Sequence, residues 1–127
     1  MSDFDTACRF VDEMNTIAGE DIFGFCLDVG HAVLLRRDLY NVITKLGKRL
    51  TVLHVHDNNT ETDQHLFPYE GKADWDAFCR GLHDIGYSGT LSFETFNGMR
   101  TRDESLAPEL LRLLHSIGVL FVKRIEG

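Results

Sequence analysis

Short apolar runs alternate along this chain with segments in which apolar residues recur at helical spacing. Three runs, at 23–28, 50–54 and 90–94, are bounded by turn residues and have the length of buried strands. Four other segments repeat apolar residues every three or four positions, which predicts helices around and between the strands. The resulting order is α-β-α-β-α-β-α, with connections long enough for right-handed parallel crossovers.

Residues that commonly begin or end helices flank these segments. Asp and Ser side chains accept hydrogen bonds from first-turn amides, and glycine suits the position after a helix. The last helix begins near Pro108, which fits a first turn, although 119–122 could instead form a fourth strand. We expect N-caps at Ser2 or Asp3, at Asp38 and at Asp74, and helix ends at Gly47 and Gly86.

Three parallel strands do not close a sheet, so the pattern predicts an incomplete α/β structure. Helices over one face would leave the other face uncovered and both sheet edges unpaired. No linker, repeat or low-complexity stretch divides the 127 residues. We therefore expect a single domain, residues 1–127, that is part of a larger β/α architecture or completes itself by association.

Composition narrows the class of protein. Hydrophobic content of 43% and charged content of 26% are ordinary for a globular domain. No apolar run approaches the roughly 18–20 residues of a membrane span, and the N-terminus lacks a signal core. The three cysteines show no CxxC spacing, which favours core thiols in a reducing compartment. We expect a cytoplasmic protein.

Each predicted strand ends in a residue that can bind a metal: Asp28, His54 and Glu94. Alternate side chains of a strand share a face, which groups His54 with Val52 and Leu50. If the strands are parallel and in register, the three polar ends converge at one end of the sheet. Two carboxylates and one imidazole suit a hard to borderline metal ion. Each residue alone could instead have a structural role, as a helix cap, a turn former or a structural histidine.

Three further polar residues follow the second strand. His56 has the opposite strand parity to His54, which predicts packing or solvent contact rather than ligation. Asp57 and Asn58 either hydrogen-bond a ligand imidazole or form a turn.

Six short motifs occur at 27–32, 54–58, 63–66, 71–75, 86–89 and 93–94: Leu-Asp-Val-Gly-His-Ala, His-Val-His-Asp-Asn, Asp-Gln-His-Leu, Gly-Lys-Ala-Asp-Trp, Gly-Tyr-Ser-Gly and Phe-Glu. In this order they resemble the C-terminal half of the xylose isomerase-like TIM barrel superfamily, which holds sugar and sugar phosphate isomerases and epimerases together with endonuclease IV. The resemblance implies a partial (β/α) TIM barrel whose three parallel strands are family strands six to eight. The loop 68–71, Pro-Tyr-Glu-Gly, departs from the family's Pro-Gly-x-Gly.

The resemblance also implies a ligand set. The family's divalent ion is held by Glu, Asp, His and Glu from four successive strands, and Asp28, His54 and Glu94 match the last three. The first Glu belongs to the fifth strand, which this sequence does not contain. His31 matches a position that contacts substrate oxygen in the sugar enzymes. Asp63 and His65 are possible additional metal or substrate ligands, because the matching positions bind zinc in the endonuclease branch.

In the sugar enzymes of this superfamily a single divalent ion (Mn, Mg, Co or Zn) stabilises an enediolate as a Lewis acid. Glu94 would then be a catalytic base as well as a ligand. Epimerase-like members flank the reacting carbon with two glutamates, and only one of that pair is present here. The resemblance implies a metal-dependent sugar (or sugar phosphate) isomerase/epimerase-like protein that is incomplete as a lone chain. The alternatives are an endonuclease IV-like zinc phosphodiesterase and an inactive binding or structural remnant.

The expected partners follow from charge and from the open sheet. A net charge of −7 disfavours nucleic acid and fits a small neutral or cation-chelated substrate better. The family resemblance implies that this substrate is a small-molecule sugar. An uncovered sheet face with two free edges predicts a homo-oligomer. No membrane partner is expected.

Overall fold

A computed structural model describes residues 3–127 as three strands flanked by helices. Ser2, one of the two proposed N-caps of the first helix, lies outside the described residues. Two short 3₁₀ turns, Gly47–Arg49 and Glu104–Leu106, precede the second strand and the last helix. The other elements, in chain order, are α1 (Phe4–Ala18), β1 (Phe25–Asp28), α2 (Val29–Leu34), α3 (Leu39–Leu46), β2 (Leu50–Val55), α4 (Trp75–Asp84), β3 (Leu91–Phe93), α5 (Phe96–Arg100) and α6 (Ala107–Glu126).

The three strands form one parallel sheet in the order β1-β2-β3, as the sequence predicted. Asp28 at the end of β1 lies opposite His54 of β2, and His54 lies opposite Ser92 of β3. Glu94 follows β3 directly, and its backbone N–H donates to the carbonyl of Val55 at 3.0 Å. The register therefore places the ends of all three strands at one edge of the sheet.

The helices cover one face of this sheet and leave the other open. Leu27 and Leu53 point toward the helices and are at most 2% exposed. Cys26 and Val52 occupy the opposite face, where Val52 is 42% exposed. Leu50, which strand alternation assigned to the open face, is buried in the helix-side core instead. That assignment was wrong because the register shifts between Phe25 and Cys26, which interrupts the alternation.

The predicted helix ends are confirmed. The caps follow the expected chemistry, with each carboxylate accepting from an amide in the first turn. Gly47 and Gly86 have φ values of 53° and 65°, a region that favours glycine. The cap distances are 3.0 Å from Asp3 to Asp5 N, 2.8 Å from Asp38 to Asn41 N and 2.9 Å from Asp74 to Ala77 N.

Two short helices were not predicted from the sequence, and the alternative of a fourth strand at 119–122 is wrong. α2 and α5 are only six and five residues long, too short to show a helical period. The segment 119–122, for which a strand remained open, lies within the 20-residue helix α6. Phe121 of this segment is fully buried and stacks on Trp75 at 5.2 Å between ring centroids. Helical spacing places Phe121 and Ile125 on the same side of α6, where both pack against the core.

The helical stretch Glu104–Glu126 is long and apolar enough to cross a membrane, judged by length and composition alone. Its mean hydropathy reaches 1.4 over an 18-residue window, of which 6% is buried. The expectation that no stretch reaches this length was wrong. It counted uninterrupted apolar runs, whereas this window also includes polar residues.

A buried carboxylate holds the long loop between β2 and α4. Asp57 is fully buried and accepts four hydrogen bonds within 3.1 Å, two on each oxygen. Lys72 N donates to the Asn58 carbonyl at 2.8 Å and closes the base of the loop. Of the two roles predicted for Asp57, binding a ligand imidazole or forming a turn, the structure shows the second. The four donors are Asn58 N, Ala73 N, Tyr69 N and the Trp75 indole N–H.

We predict that Asp57→Ala lowers the free energy of unfolding by about 3 kcal/mol or more, because each buried donor left unsatisfied costs about 1–3 kcal/mol. Asp57→Asn should be nearly as damaging, since its amide nitrogen would face donors. Urea unfolding followed by circular dichroism measures both. Asp21→Ala, on an exposed acidic residue, is the control and should stay within about 0.5 kcal/mol of wild type. An equal effect of Asp57→Ala and Asp21→Ala would contradict the role given to Asp57.

Candidate metal and substrate site

Asp28, His54 and Glu94 lie together at the carboxyl ends of the strands. The His54 Nδ1 atom is 3.1 Å from Glu94 Oε1. One ligand atom from each of the three residues lies within 4.8 Å of the others, so the set can hold a metal ion. All three side chains are partly exposed toward the open face of the sheet. A small molecule could therefore reach an ion bound here.

The two oxygens of Asp28 have different surroundings. Oδ1 accepts from the backbone N–H of His31 at 2.8 Å and from His56 Nε2 at 2.9 Å. Oδ2 has a more distant neighbour, His31 Nδ1, at 3.4 Å. Burial alone would raise the pKa of Asp28, but the hydrogen bonds from His56 and from the His31 amide outweigh it and lower this pKa. The carboxylate is therefore ionised at neutral pH and can bind a cation.

Asp63 brings a second group of imidazoles to the same edge. Its Oδ2 atom is 3.2 Å from His31 Nε2 and 3.3 Å from His65 Nε2. His65 also donates from Nδ1 to the carbonyl of Glu94 at 2.8 Å. His31, Asp63 and His65 thus border the first group. Two overlapping sets, Asp28/His31/His56 and His56/Asp63/His65, also meet the spacing of a metal site.

The loop that carries Asp63 and His65 is packed against the end of β3. The His65 ring stacks on His56 with centroids 3.8 Å apart and contacts Phe96 at 4.3 Å. Asn97 of α5 donates to the carbonyl of Gln64 at 2.8 Å. His65 has a φ of 48°, a conformation that a non-glycine residue adopts at a cost. These contacts hold the loop over the candidate site.

His56 is the residue of this site that the sequence did not assign. It is fully buried, as the packing alternative expected, but its Nε2 atom contacts Asp28. Strand parity did not predict this contact because β2 ends at Val55, so alternation no longer fixes the direction of His56. The only signal in the sequence was the His-Val-His spacing itself.

The pKa of His56 is raised above its usual 6.5. Burial opposes this shift, but the hydrogen bond to Asp28 and the negative charges of Asp28, Asp63 and Glu94 outweigh burial. A raised histidine pKa adds stability that is complete below pH 6.5 and is lost as pH rises through the folded value. The lowered pKa of Asp28 adds stability that is complete above pH 3.8 and is lost on acidification. The pair therefore contributes fully between about pH 3.8 and 6.5.

We predict that Asp28→Asn lowers the pKa of His56, since it removes the carboxylate and leaves the effect of burial. The measurement is a ¹H–¹³C NMR titration of the His56 Cε1–H signal in EDTA. Asp21→Asn, which changes an exposed carboxylate, is the control. An unchanged His56 titration in Asp28→Asn would mean that the hydrogen bond to Asp28 does not exist in solution.

Comparisons with known proteins agree with this architecture. A family model described as "Xylose isomerase-like TIM barrel" matches residues 1–117. An uncharacterized protein of Sinorhizobium fredii is 39% identical over 75 residues, which are 59% of this chain and 24% of that protein. A ketose 3-epimerase of Arthrobacter globiformis is 26% identical over 108 residues, 85% of this chain and 32% of that enzyme.

A solved structure is also similar to this chain in fold. The crystal structure of a D-tagatose 3-epimerase-like protein superposes with a TM-score of 0.54 at 29% identity, covering 78% of this chain and 37% of that one. The chain thus matches only 24% and 32% of the length of these two curated relatives. Its three parallel strands and flanking helices resemble part of a TIM barrel. The chain belongs to the xylose isomerase-like TIM barrel family.

Proposed function

We propose that residues 1–127 form one domain, the C-terminal half of a barrel from a metal-dependent sugar or sugar phosphate isomerase/epimerase-like protein. The observation that carries this proposal is the meeting of Asp28, His54 and Glu94 at the strand ends, with ligand atoms within 4.8 Å. Family membership and the ketose 3-epimerase relative support a sugar as the small-molecule substrate.

The donor set fits one divalent ion of the group Mn, Mg, Co or Zn. Two carboxylate oxygens and an imidazole nitrogen suit these ions, and the lowered pKa of Asp28 keeps its oxygen charged. Asp28, His54 and Glu94 would hold the ion. When bound, it would supply Lewis acidity to a substrate oxygen.

The protein's own groups then have separate roles. Glu94 Oε1 is 3.1 Å from His54 Nδ1, and the side chain is about a third exposed, so it can accept a proton from a substrate carbon. His31 is 55% exposed and faces the same edge, where its ring can contact a substrate oxygen. A single carboxylate can return the proton only to the face from which it came. Inversion of the carbon needs a second carboxylate from elsewhere.

We predict that the chain incubated with Mn²⁺ and D-tagatose in D₂O exchanges the proton on the carbon next to the carbonyl without forming the epimer. Proton abstraction by Glu94, followed by return of a solvent deuteron to the same face, gives this result. NMR of the recovered sugar measures exchange and epimer together. Glu94→Gln should abolish exchange, and Glu109→Gln, on the exposed face of α6, is the matched control. Metal binding without any exchange would contradict the proton-transfer role of Glu94.

Metal counting separates the candidate functions. Elemental analysis of the dialysed protein should give about one ion per chain, and Asp28→Asn should reduce it. The zinc phosphodiesterase alternative predicts up to three ions per chain. The observation that favours it is that Asp63 lies within 3.3 Å of the His31 and His65 rings, which could supply ligands for additional ions. A chain that retains no metal ion would support the alternative of an inactive binding or structural remnant.

We also propose that the chain associates with a second copy, in the cytoplasm, where its three cysteines would stay reduced. The open sheet face exposes Cys26 and Val52. Beside the free edge of β3, a groove of about 740 Å³ runs along α6 and is lined mainly by apolar side chains. An exposed sheet face and an apolar groove beside its edge both favour association. The apolar groove residues include Leu91, Phe93, Leu111, Leu114, Val119 and Val122.

We predict a dimer or higher oligomer in sedimentation velocity at micromolar concentration. Leu111→Asp, at a groove residue that is 57% exposed, should shift the distribution toward monomer. Glu109→Gln, two positions away on the same helix, is the control and should leave the distribution unchanged. A wild-type chain that sediments as a monomer would contradict the proposed association.

A further inference from the structure

The geometry points to His56 as a positioning residue that fixes the Asp28 carboxylate so that one chosen oxygen faces a bound divalent ion. This inference rests on the proposed function, because it deepens the role of the same site. It assigns the two oxygens of Asp28 to different tasks: Oδ1 to the protein and Oδ2 to the ion.

The hydrogen bonds around Asp28 carry the assignment. Oδ1 accepts from His31 N at 2.8 Å and from His56 Nε2 at 2.9 Å, which occupies its two lone pairs. Among the described residues, only His31 Nδ1, at 3.4 Å, approaches Oδ2 as an ion-pair partner. A cation beside His54 and Glu94 would therefore use Oδ2. Outer partners of this kind orient metal ligands in many proteins.

Two contacts hold the His56 ring in place for this task. Its face stacks on His65 at 3.8 Å with the planes 12° apart. Its edge lies against Gly30 of α2, where an added Cβ would overlap the ring. Gly30 does not have a positive φ, so the glycine provides space rather than backbone freedom. The ring therefore has little room to rotate away from Asp28.

The second nitrogen of His56 argues against a role in packing alone. Nδ1 is buried and has no hydrogen-bond partner among the described residues. Its nearest ion-pair neighbour is Asp63 Oδ1, at 3.9 Å, which is beyond hydrogen-bond distance. A buried polar atom without a partner is unfavourable, and an apolar side chain would avoid it. What the imidazole provides that an apolar residue cannot is the N–H donated to Asp28.

The test compares two near-isosteric substitutions, His56→Gln and His56→Met. Gln can place an N–H donor where Nε2 lies, whereas Met fills similar volume without a donor. Mn²⁺ affinity is measured by calorimetry, and unfolding by urea is measured in EDTA to follow stability without metal. We expect His56→Gln to bind within about 3-fold of wild type and His56→Met to bind about 10–100-fold more weakly.

The outcomes separate this inference from the proposed function. Equal Mn²⁺ affinity of His56→Met and wild type would overturn the inference alone, as would equal losses in the Gln and Met variants. A wild-type chain that bound no Mn²⁺ would overturn the proposed function, and the inference with it. If His56→Met did not fold, His56→Asn would replace it, since its shorter amide cannot reach Asp28.

Discussion

The parallel register of the three strands decides where every polar group of the site lies. Asp28 pairs with His54 across the sheet, and Glu94 is tied to β2 through the carbonyl of Val55. A shift of one residue in either pairing would turn the displaced side chain toward the helix-side core, where a charged group is costly. The buried residues Leu27 and Leu53 oppose such a shift, because it would expose them.

The long loop after β2 packs on the strand ends that this register aligns. The buried Asp57 carboxylate fixes both ends of the loop, and the loop presents Asp63 and His65 to the strand ends. His65 is bonded in turn to the Glu94 carbonyl. The site thus depends on a buried carboxylate that is not one of the candidate ligands. Four hydrogen-bond donors compensate for the hydration that this carboxylate loses on burial.

The sequence predicted the features that depend on periodicity and missed those that depend on where periodicity stops. Alternation placed Asp28 and His54 on one face, and helical stripes ended at Gly47 and Gly86 as expected. Leu50 was misplaced by a register shift, and the direction of His56 followed from the end of β2 rather than from its parity. The contact between His56 and Asp28 joins residues 28 positions apart, which no local pattern encodes.

We propose that Asp28, His54 and Glu94 bind one shared divalent ion. Anomalous X-ray diffraction from crystals grown with Mn²⁺ tests it most directly, because the signal locates the ion independently of any activity. We expect one strong peak within bonding distance of Asp28 Oδ2, the His54 ring and the Glu94 carboxylate. A crystal at saturating Mn²⁺ with no peak there, or with the ion held only by other residues, would contradict it.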